Sequence, residues 1–125
     1  MPQKLWISVV DDDSAFRGSV QRLLRSVGYD VETFASAAEF LAFPCYEQTA
    51  CLISDIQMLG MTGIELYHHL LDVGNSVPTI LITAFFDSEQ QKRSLSNGAV
   101  CYLPKPCDDD ELIRCIRIAI AGDRR

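Results

Sequence analysis

Short apolar segments alternate along this chain with segments of helical period. Four runs are almost continuously apolar, which is typical of strands buried on both faces. They are LWISVV (5–10), ACLIS (50–54), TILIT (79–83) and AVCYL (99–103). A fifth segment, YDVETF (29–34), alternates apolar and polar residues and predicts a more exposed strand.

The segments between these strands predict helices. Apolar residues from Phe16 to Val27 recur at spacings that place them on one helix face, and Gly28 marks the end of that helix. Further helices are predicted at 37–41, 64–73, 88–96 and 108–121. Strict alternation of strand and helix predicts an α/β fold with a five-stranded parallel sheet covered by helices on both faces.

Length and composition indicate one globular domain. The chain has 125 residues, of which 48% are hydrophobic, and contains no linker-like segment or internal repeat. We expect the domain to span 1–121 and GDRR (122–125) to begin a linker or tail. Because no segment approaches the ~18 apolar residues of a membrane span, we expect a soluble, cytoplasmic protein without membrane contact. A net charge of −6 argues against direct nucleic-acid binding by this domain.

The cysteines predict neither a zinc site nor a disulfide framework. There are five, an odd number, with no C-x-x-C pair and no histidine at ligand spacing. Cys51 and Cys101 lie within apolar runs, where a free cysteine acts as a small core residue. The neighbouring His68 and His69 are interpreted as helix-surface residues.

Three consecutive aspartates occur twice, and the two settings differ. Asp108 precedes a helical pattern, and Glu111 follows three residues later, so the second triplet predicts a capping box on the positive end of a helix dipole. The first triplet follows a buried strand, where Asp13 or Ser14 would suffice as the helix cap. Asp11 and Asp12 therefore require another explanation.

Other predicted strands also end in polar side chains. Asp55 follows the third strand, Thr83 ends the fourth and Lys105 follows the fifth. The carboxyl ends of parallel strands share one edge of a sheet, where ligands bind. Clustered carboxylates repel one another unless a cation lies among them, and a few oxygen ligands with room for water suit Mg²⁺. Carboxylate, divalent cation, ammonium and hydroxyl together indicate phosphoryl-transfer chemistry.

Nearly the whole chain, from about Lys4 to Ala121, resembles the receiver domain of bacterial two-component response regulators. The resemblance rests on VVDDDS (9–14), ISDIQM (53–58), ITA (82–84) and KP (105–106), in this order and at these separations. The surrounding segments FASAAEFL and GAVCYLPKP are most similar to the FixJ/LuxR-type subfamily. The resemblance implies the flavodoxin-like strand order 2-1-3-4-5, a fold class for which a chemotaxis receiver is a standard example.

The resemblance also implies the metal and acceptor residues. Asp55 would accept a phosphoryl group from a sensor histidine kinase or a small phosphodonor. Asp12, Asp55 and the backbone carbonyl of Gln57 would bind Mg²⁺ directly, and Asp11 would act mainly through a bound water.

The remaining roles concern the response to phosphorylation. Lys105 and Thr83 would each contact a phosphoryl oxygen, and the ring of Tyr102 would move inward as Thr83 moves. Gln57 and Phe85 would tune the lifetime of the modified state, Gln57 by orienting water and Phe85 by covering the phosphoryl group. The alternatives are that Tyr102 is an ordinary strand aromatic and that Phe85 packs onto helix four.

Other positions either match the family pattern or depart from it. Gly63 and a Lys105–Pro106 bond of the cis form match. Leu59 stands where proline is usual and implies a more mobile loop. Cys107 replaces a common Phe, which places the packing at the start of the last helix in question, and Phe85 stands where small or polar residues are common.

The function implied is a phosphorylation-operated switch that catalyses only its own phosphorylation and dephosphorylation. Phosphorylation would change the surface formed by helix 4, strand 5 and helix 5. This surface would then form a receiver homodimer, and the dimer would control transcription through a C-terminal DNA-binding domain in the parent protein. A hydrolase of the haloacid dehalogenase type would need an acid in place of Gln57, and a flavodoxin would not place aspartates in its phosphate loop. An interaction module that works without phosphorylation is the remaining alternative.

Overall fold

The computed structural model describes residues 5–122, and they form one parallel five-stranded sheet with helices on both faces. The strand order is β2-β1-β3-β4-β5, as predicted. The strands are β1 (Trp6–Val10), β2 (Val31–Phe34), β3 (Thr49–Asp55), β4 (Thr79–Thr83) and β5 (Cys101–Pro104). The helices are α1 (Ser14–Ser26), α2 (Ala37–Ala42), α3 (Gly63–Asp72), α4 (Ser88–Ser96) and α5 (Asp109–Ala121).

The element boundaries lie close to those predicted from the sequence. One short 3-10 helix, Tyr46–Gln48, precedes β3 and was not predicted. Strand β3 extends to Asp55 because that residue still pairs with Ile82 of β4. The expected linker at 122–125 lies outside the described residues except for Gly122.

The core lies on both faces of the sheet because alternate strand residues point in opposite directions. On one face Ile53 and Ile82 pack with Ile116 of α5. On the other face Leu52 packs with Leu66 of α3. All five side chains are at most 1% exposed, and such burial stabilises the fold by roughly 1.5–3 kcal/mol per side chain.

Aspartate and threonine side chains cap the helices that flank the candidate site. Asp13 caps α1 by accepting hydrogen bonds from the backbone N–H groups of residues 15 and 16. Asp108 caps α5 by accepting from the N–H of Glu111, as predicted. The complete capping box, with both reciprocal hydrogen bonds, lies instead at Thr62 and Glu65 of α3.

The prediction that Cys101 is a free core thiol was wrong. Cys101 at the start of β5 forms a disulfide with Cys115 of α5, and their Cα atoms are 6.4 Å apart. The two cysteines are 14 positions apart in sequence, and the return of α5 across β5 brings them together. Cys51 is a buried core residue, as expected. Within residues 5–122, no helix combines the length and the apolar character that a membrane crossing requires.

Candidate functional site

Three carboxylates meet at the carboxyl edge of the sheet. Asp11 follows β1 and is fully buried, Asp55 ends β3 and is 6% exposed, and Asp12 is exposed. One carboxylate oxygen from each lies within 4.8 Å of the others. The parallel topology therefore brings together the acids that the sequence placed at separate strand ends.

The loop after β1 holds Asp11 in a fixed orientation. Its Oδ1 accepts a hydrogen bond of 2.8 Å from the backbone N–H of Asp13. The guanidinium of Arg17, one turn into α1, donates to the Asp11 carbonyl oxygen at 2.5 Å. The Asp11 N–H donates to the carbonyl of Phe34 on β2 at 3.0 Å. The local chain thus directs the second carboxylate oxygen of Asp11 towards β5.

Lys105 provides the positive charge of the cluster. Its Nζ donates to Asp11 Oδ2 at 3.0 Å and lies 3.8 Å from Asp13 Oδ2 and 4.5 Å from the centre of the Phe16 ring. Burial acts to lower the Lys105 pKa, but the hydrogen bond to Asp11 and the charges of Asp11, Asp55 and Asp13 outweigh it and raise that pKa. Lys105 is therefore a fully charged ammonium, and its peptide bond to Pro106 is cis, as expected.

Asp55 is the carboxylate with the most perturbed environment. Burial, followed by the negative charge of Asp11, raises the pKa of Asp55 to about 6, although Lys105 opposes the shift. Its Oδ1 is the buried side-chain polar atom within residues 5–122 that lacks a hydrogen-bond partner. Leaving a buried carboxylate oxygen unpaired is costly. A hard cation between Asp55 and Asp12 would satisfy that oxygen, so the residues present fit Mg²⁺.

Gly63 allows the chain to close around Asp55. A Cβ atom at this position would overlap the carbonyl oxygen of Asp55 and would lie 3.0 Å from Ser54 Oγ. The N–H of Gly63 donates to the Ile56 carbonyl at 3.1 Å, which anchors the start of α3 beside β3. Close backbone approach therefore requires glycine here.

Thr83, at the end of β4, is fully buried, and its hydroxyl makes two hydrogen bonds. Its hydroxyl donates to Gln57 Oε1 at 2.8 Å and accepts from the Phe85 N–H at 3.0 Å. The Thr83 carbonyl accepts from the N–H of Lys105 at 2.7 Å. Thr83 is therefore linked through its hydroxyl to the loop after β3 and through its backbone to Lys105.

Tyr102 is buried in this structure, with only 3% of its surface exposed. Its hydroxyl donates to Gln90 Oε1 at 2.6 Å and accepts from the Asp87 N–H at 3.3 Å. The ring of Phe86 packs edge-on against it at 5.3 Å between centroids. Tyr102 is therefore a fully buried strand aromatic in this structure, and its expected inward movement stays a prediction.

Sequence reasoning did not identify Gln90, Asp87 or Phe86 as part of this arrangement. Glutamine on a polar helix and aspartate at a helix cap carry no motif, and only the position of α4 relative to β5 reveals their role. Phe85 is 72% exposed and Leu59 is 89% exposed, so neither side chain packs into the core. The expected role of the Gln57 carbonyl as a metal ligand stays a prediction.

Comparisons with known proteins agree with this geometry. The response regulator receiver domain model matches residues 7–117. Nodulation protein W of Bradyrhizobium diazoefficiens is 35% identical over 98% of this chain and 54% of that protein. The transcriptional regulatory protein FixJ of Azorhizobium caulinodans is 34% identical over 96% of this chain and 57% of that protein. The chain thus spans about half the length of these curated relatives.

Solved structures give the same picture. Response regulator StyR superimposes with a TM-score of 0.88 at 39% identity, over 95% of this chain and 60% of that chain. The FixJ-N crystal structure superimposes with a TM-score of 0.84 at 30% identity, over 100% of this chain and 99% of that chain.

Proposed function

Because the chain belongs to the response regulator receiver domain family, we propose that it is a phosphorylation-operated signalling switch in which Asp55 accepts the phosphoryl group. The observation that carries this proposal is the unpaired, buried Oδ1 of Asp55 beside two further carboxylates and an ammonium. An acceptor needs an unengaged carboxylate oxygen with positive charge nearby. Asp55 has both.

Asp55 would attack the phosphorus of a phosphohistidine on a sensor kinase, or of a small phosphodonor. A bond forms between the Asp55 oxygen and phosphorus while the bond between phosphorus and the donor breaks, and the electron pair leaves with the donor. Lys105 would shift from Asp11 to pair with one phosphoryl oxygen, and the Thr83 hydroxyl would donate to another. Catalysis here consists mainly of positioning and charge neutralisation.

Asp12, Asp55 and the carbonyl of Gln57 would hold Mg²⁺, with Asp11 acting mainly through a bound water. When bound, the ion would neutralise the carboxylates and the incoming phosphoryl oxygens. The domain would catalyse its own phosphorylation and dephosphorylation only. Hydrolysis would be limited by how well Gln57 orients a water and by how far Phe85 covers the modified Asp55.

The output would pass through the surface formed by α4, β5 and α5. The hydroxyls of Thr83 and Tyr102 accept hydrogen bonds from the backbone N–H groups of Phe85 and Asp87, respectively. Both N–H groups lie in the loop that leads into α4. A change in this surface would promote a receiver homodimer. Since the chain spans 57% of the transcriptional regulatory protein FixJ, we propose that the parent protein carries a C-terminal DNA-binding domain. The net charge of −6 argues against DNA contact by this domain, so the other domain would contact DNA, and the site of action would be the cytoplasm.

Intact mass after treatment with acetyl phosphate and Mg²⁺ tests the proposal. The parent chain should gain the mass of one phosphoryl group, and Asp55→Asn should gain none because the amide is not a nucleophile. An adduct on Asp55→Asn at the parent's yield would refute the acceptor. No adduct on the parent with any donor would favour the alternative, an interaction module that works without phosphorylation.

A further inference from the structure

The Thr83 hydroxyl already donates its proton in a hydrogen bond to a neighbouring side chain. Thr83 Oγ1 donates to Gln57 Oε1 at 2.8 Å and accepts from the Phe85 N–H at 3.0 Å, and the residue is fully buried. A hydroxyl has a single proton to donate. Thr83 therefore cannot donate to a phosphoryl oxygen while it keeps the hydrogen bond to Gln57.

Gln57 is positioned to act on Thr83 and not only on water. It lies two residues after Asp55 and reaches from the loop after β3 to the end of β4, 26 residues away in sequence. The Gln57 side chain is half-exposed, so water can replace the Thr83 hydroxyl as the hydrogen-bond donor to its amide oxygen. The hydrogen bond to Gln57 must break before Thr83 can donate to a phosphoryl oxygen, so loss of the Gln57 acceptor removes one competitor for the proton.

We propose that Gln57 is a positioning residue that restrains the Thr83 hydroxyl in the unmodified domain and thereby sets how readily Thr83 engages the group on Asp55. This inference rests on the proposed function, in which Asp55 is the acceptor and Thr83 contacts the phosphoryl group. It differs from water orientation during hydrolysis, because it acts on the conformational equilibrium before any hydrolysis occurs. Removal of the amide oxygen should favour the engaged position of Thr83.

The hydrogen bonds of the Thr83 hydroxyl also connect it to the loop before α4. The Phe85 N–H that donates to Thr83 belongs to the same loop as the Asp87 N–H that donates to Tyr102 at 3.3 Å. Release of Thr83 from Gln57 lets this loop follow the hydroxyl towards Asp55. When a group binds at Asp55, part of the binding free energy is used to move the start of α4. Gln57 would thus determine the size of that part.

Beryllofluoride with Mg²⁺ tests the inference, because this stable stand-in for a phosphoryl group removes hydrolysis from the measurement. Its affinity is followed by NMR, through the methyl group of Thr83 in the parent and the amide of residue 85 in every variant. Gln57→Met keeps the side-chain length but removes the acceptor, and it should tighten binding about fivefold, the size of one net hydrogen bond. Gln48→Met, a glutamine next to the opposite end of β3, is the matched control and should leave the affinity unchanged.

A double-mutant cycle with Thr83→Val establishes whether the effect passes through the hydroxyl. In the Thr83→Val background, Gln57→Met should no longer change the affinity. Equal affinities of the parent and Gln57→Met would overturn the inference, as would the same tightening in both backgrounds. Failure of the parent itself to bind beryllofluoride would overturn the proposed function, and the inference with it.

Discussion

Lys105 and Asp11 form a buried ion pair across the carboxyl edge of the sheet, with Nζ 3.0 Å from Oδ2. Their side chains are 16% and 1% exposed, respectively. The pair joins the loop after β5 to the end of β1, which are 94 residues apart in sequence. It fixes the ammonium beside Asp55 before any phosphoryl group arrives.

Lys105→Met should therefore destabilise the domain even without phosphorylation. The substitution leaves the Asp11 carboxylate buried without its cation, and breaking such a pair costs roughly 3 kcal/mol. Urea unfolding at pH 7 in Mg²⁺-free buffer measures the change. Lys92→Met is the control, because its pair with Glu89 is 3.9 Å long and both side chains are at least 70% exposed. If both variants unfold at the same urea concentration, the buried pair does not stabilise the fold.

Asp12→Ala should weaken Mg²⁺ binding by at least about tenfold, because Asp12 supplies one of the few charged oxygens at the site. Mg²⁺ titration followed by NMR shifts measures the affinity. Asp109→Ala, in the second aspartate triplet at the start of α5, is the matched control and should not change it. Equal Mg²⁺ affinity of the parent and Asp12→Ala would place the ion elsewhere.

The stability of the parent relative to Asp55→Asn should depend on pH. The Asp55 pKa rises from 3.8 to about 6 on folding, chiefly through burial, so the folded chain holds this proton more tightly than the unfolded chain. The stabilisation from protonated Asp55 is complete below pH 4 and is lost as the pH rises through 6. At pH 7 without Mg²⁺, Asp55→Asn should be more stable than the parent by about 3 kcal/mol.

Urea unfolding of the two proteins between pH 4 and pH 7 follows this difference. The advantage of the variant should shrink as the pH falls and disappear near pH 4. A constant advantage across the range would mean that Asp55 titrates normally in the folded chain.

Phe85→Ala should shorten the life of phosphorylated Asp55 by about an order of magnitude, on the order of 1.4 kcal/mol of barrier. The Phe85 ring is 72% exposed, so most of it faces solvent rather than α4. Its backbone N–H is bonded to Thr83 Oγ1, so movement of Thr83 would carry the ring towards the modified residue. Coverage there would reduce the population of correctly placed water.

Loss of phosphoryl mass with time, at fixed Mg²⁺, measures the lifetime. Phe86→Ala is the matched control, because the Phe86 ring packs on Tyr102 instead. Equal decay of the parent and Phe85→Ala would show that the ring does not shield the site.

Tyr102→Phe and Tyr67→Phe should loosen opposite ends of α4. Among the residues of this helix Ser94 is the buried one, and two tyrosine hydroxyls form hydrogen bonds near its ends. The Tyr102 hydroxyl is bonded to Gln90 in the first turn, whereas the Tyr67 hydroxyl donates to the Asn97 carbonyl at 2.9 Å beyond the last turn. Each substitution should cost about 1 kcal/mol.

Amide hydrogen exchange distinguishes the two ends. Tyr102→Phe should speed exchange in the first turn of α4 and Tyr67→Phe in the last. Uniform acceleration along the helix in both variants would indicate that α4 opens as one unit.

The sequence by itself determined the order of strands and helices and the polar residues that end each strand. Apolar periodicity specifies which segments become strands, and parallel topology brings their carboxyl ends to one edge, so Asp11, Asp55, Thr83 and Lys105 could be grouped without coordinates. The expectation of a metal ion at this edge followed from charge, because clustered carboxylates repel one another unless a cation lies among them.

Only the tertiary structure decided which side chains pair within this framework. The hydrogen bond from Thr83 to Gln57, the bond from Tyr102 to Gln90 and the link between Cys101 and Cys115 join residues 12 to 26 positions apart. No local pattern specifies such pairs, because each depends on how a loop closes and how a helix lies across its strand. Backbone periodicity is a local property, whereas the partner of a side chain is set by the packing of the whole chain.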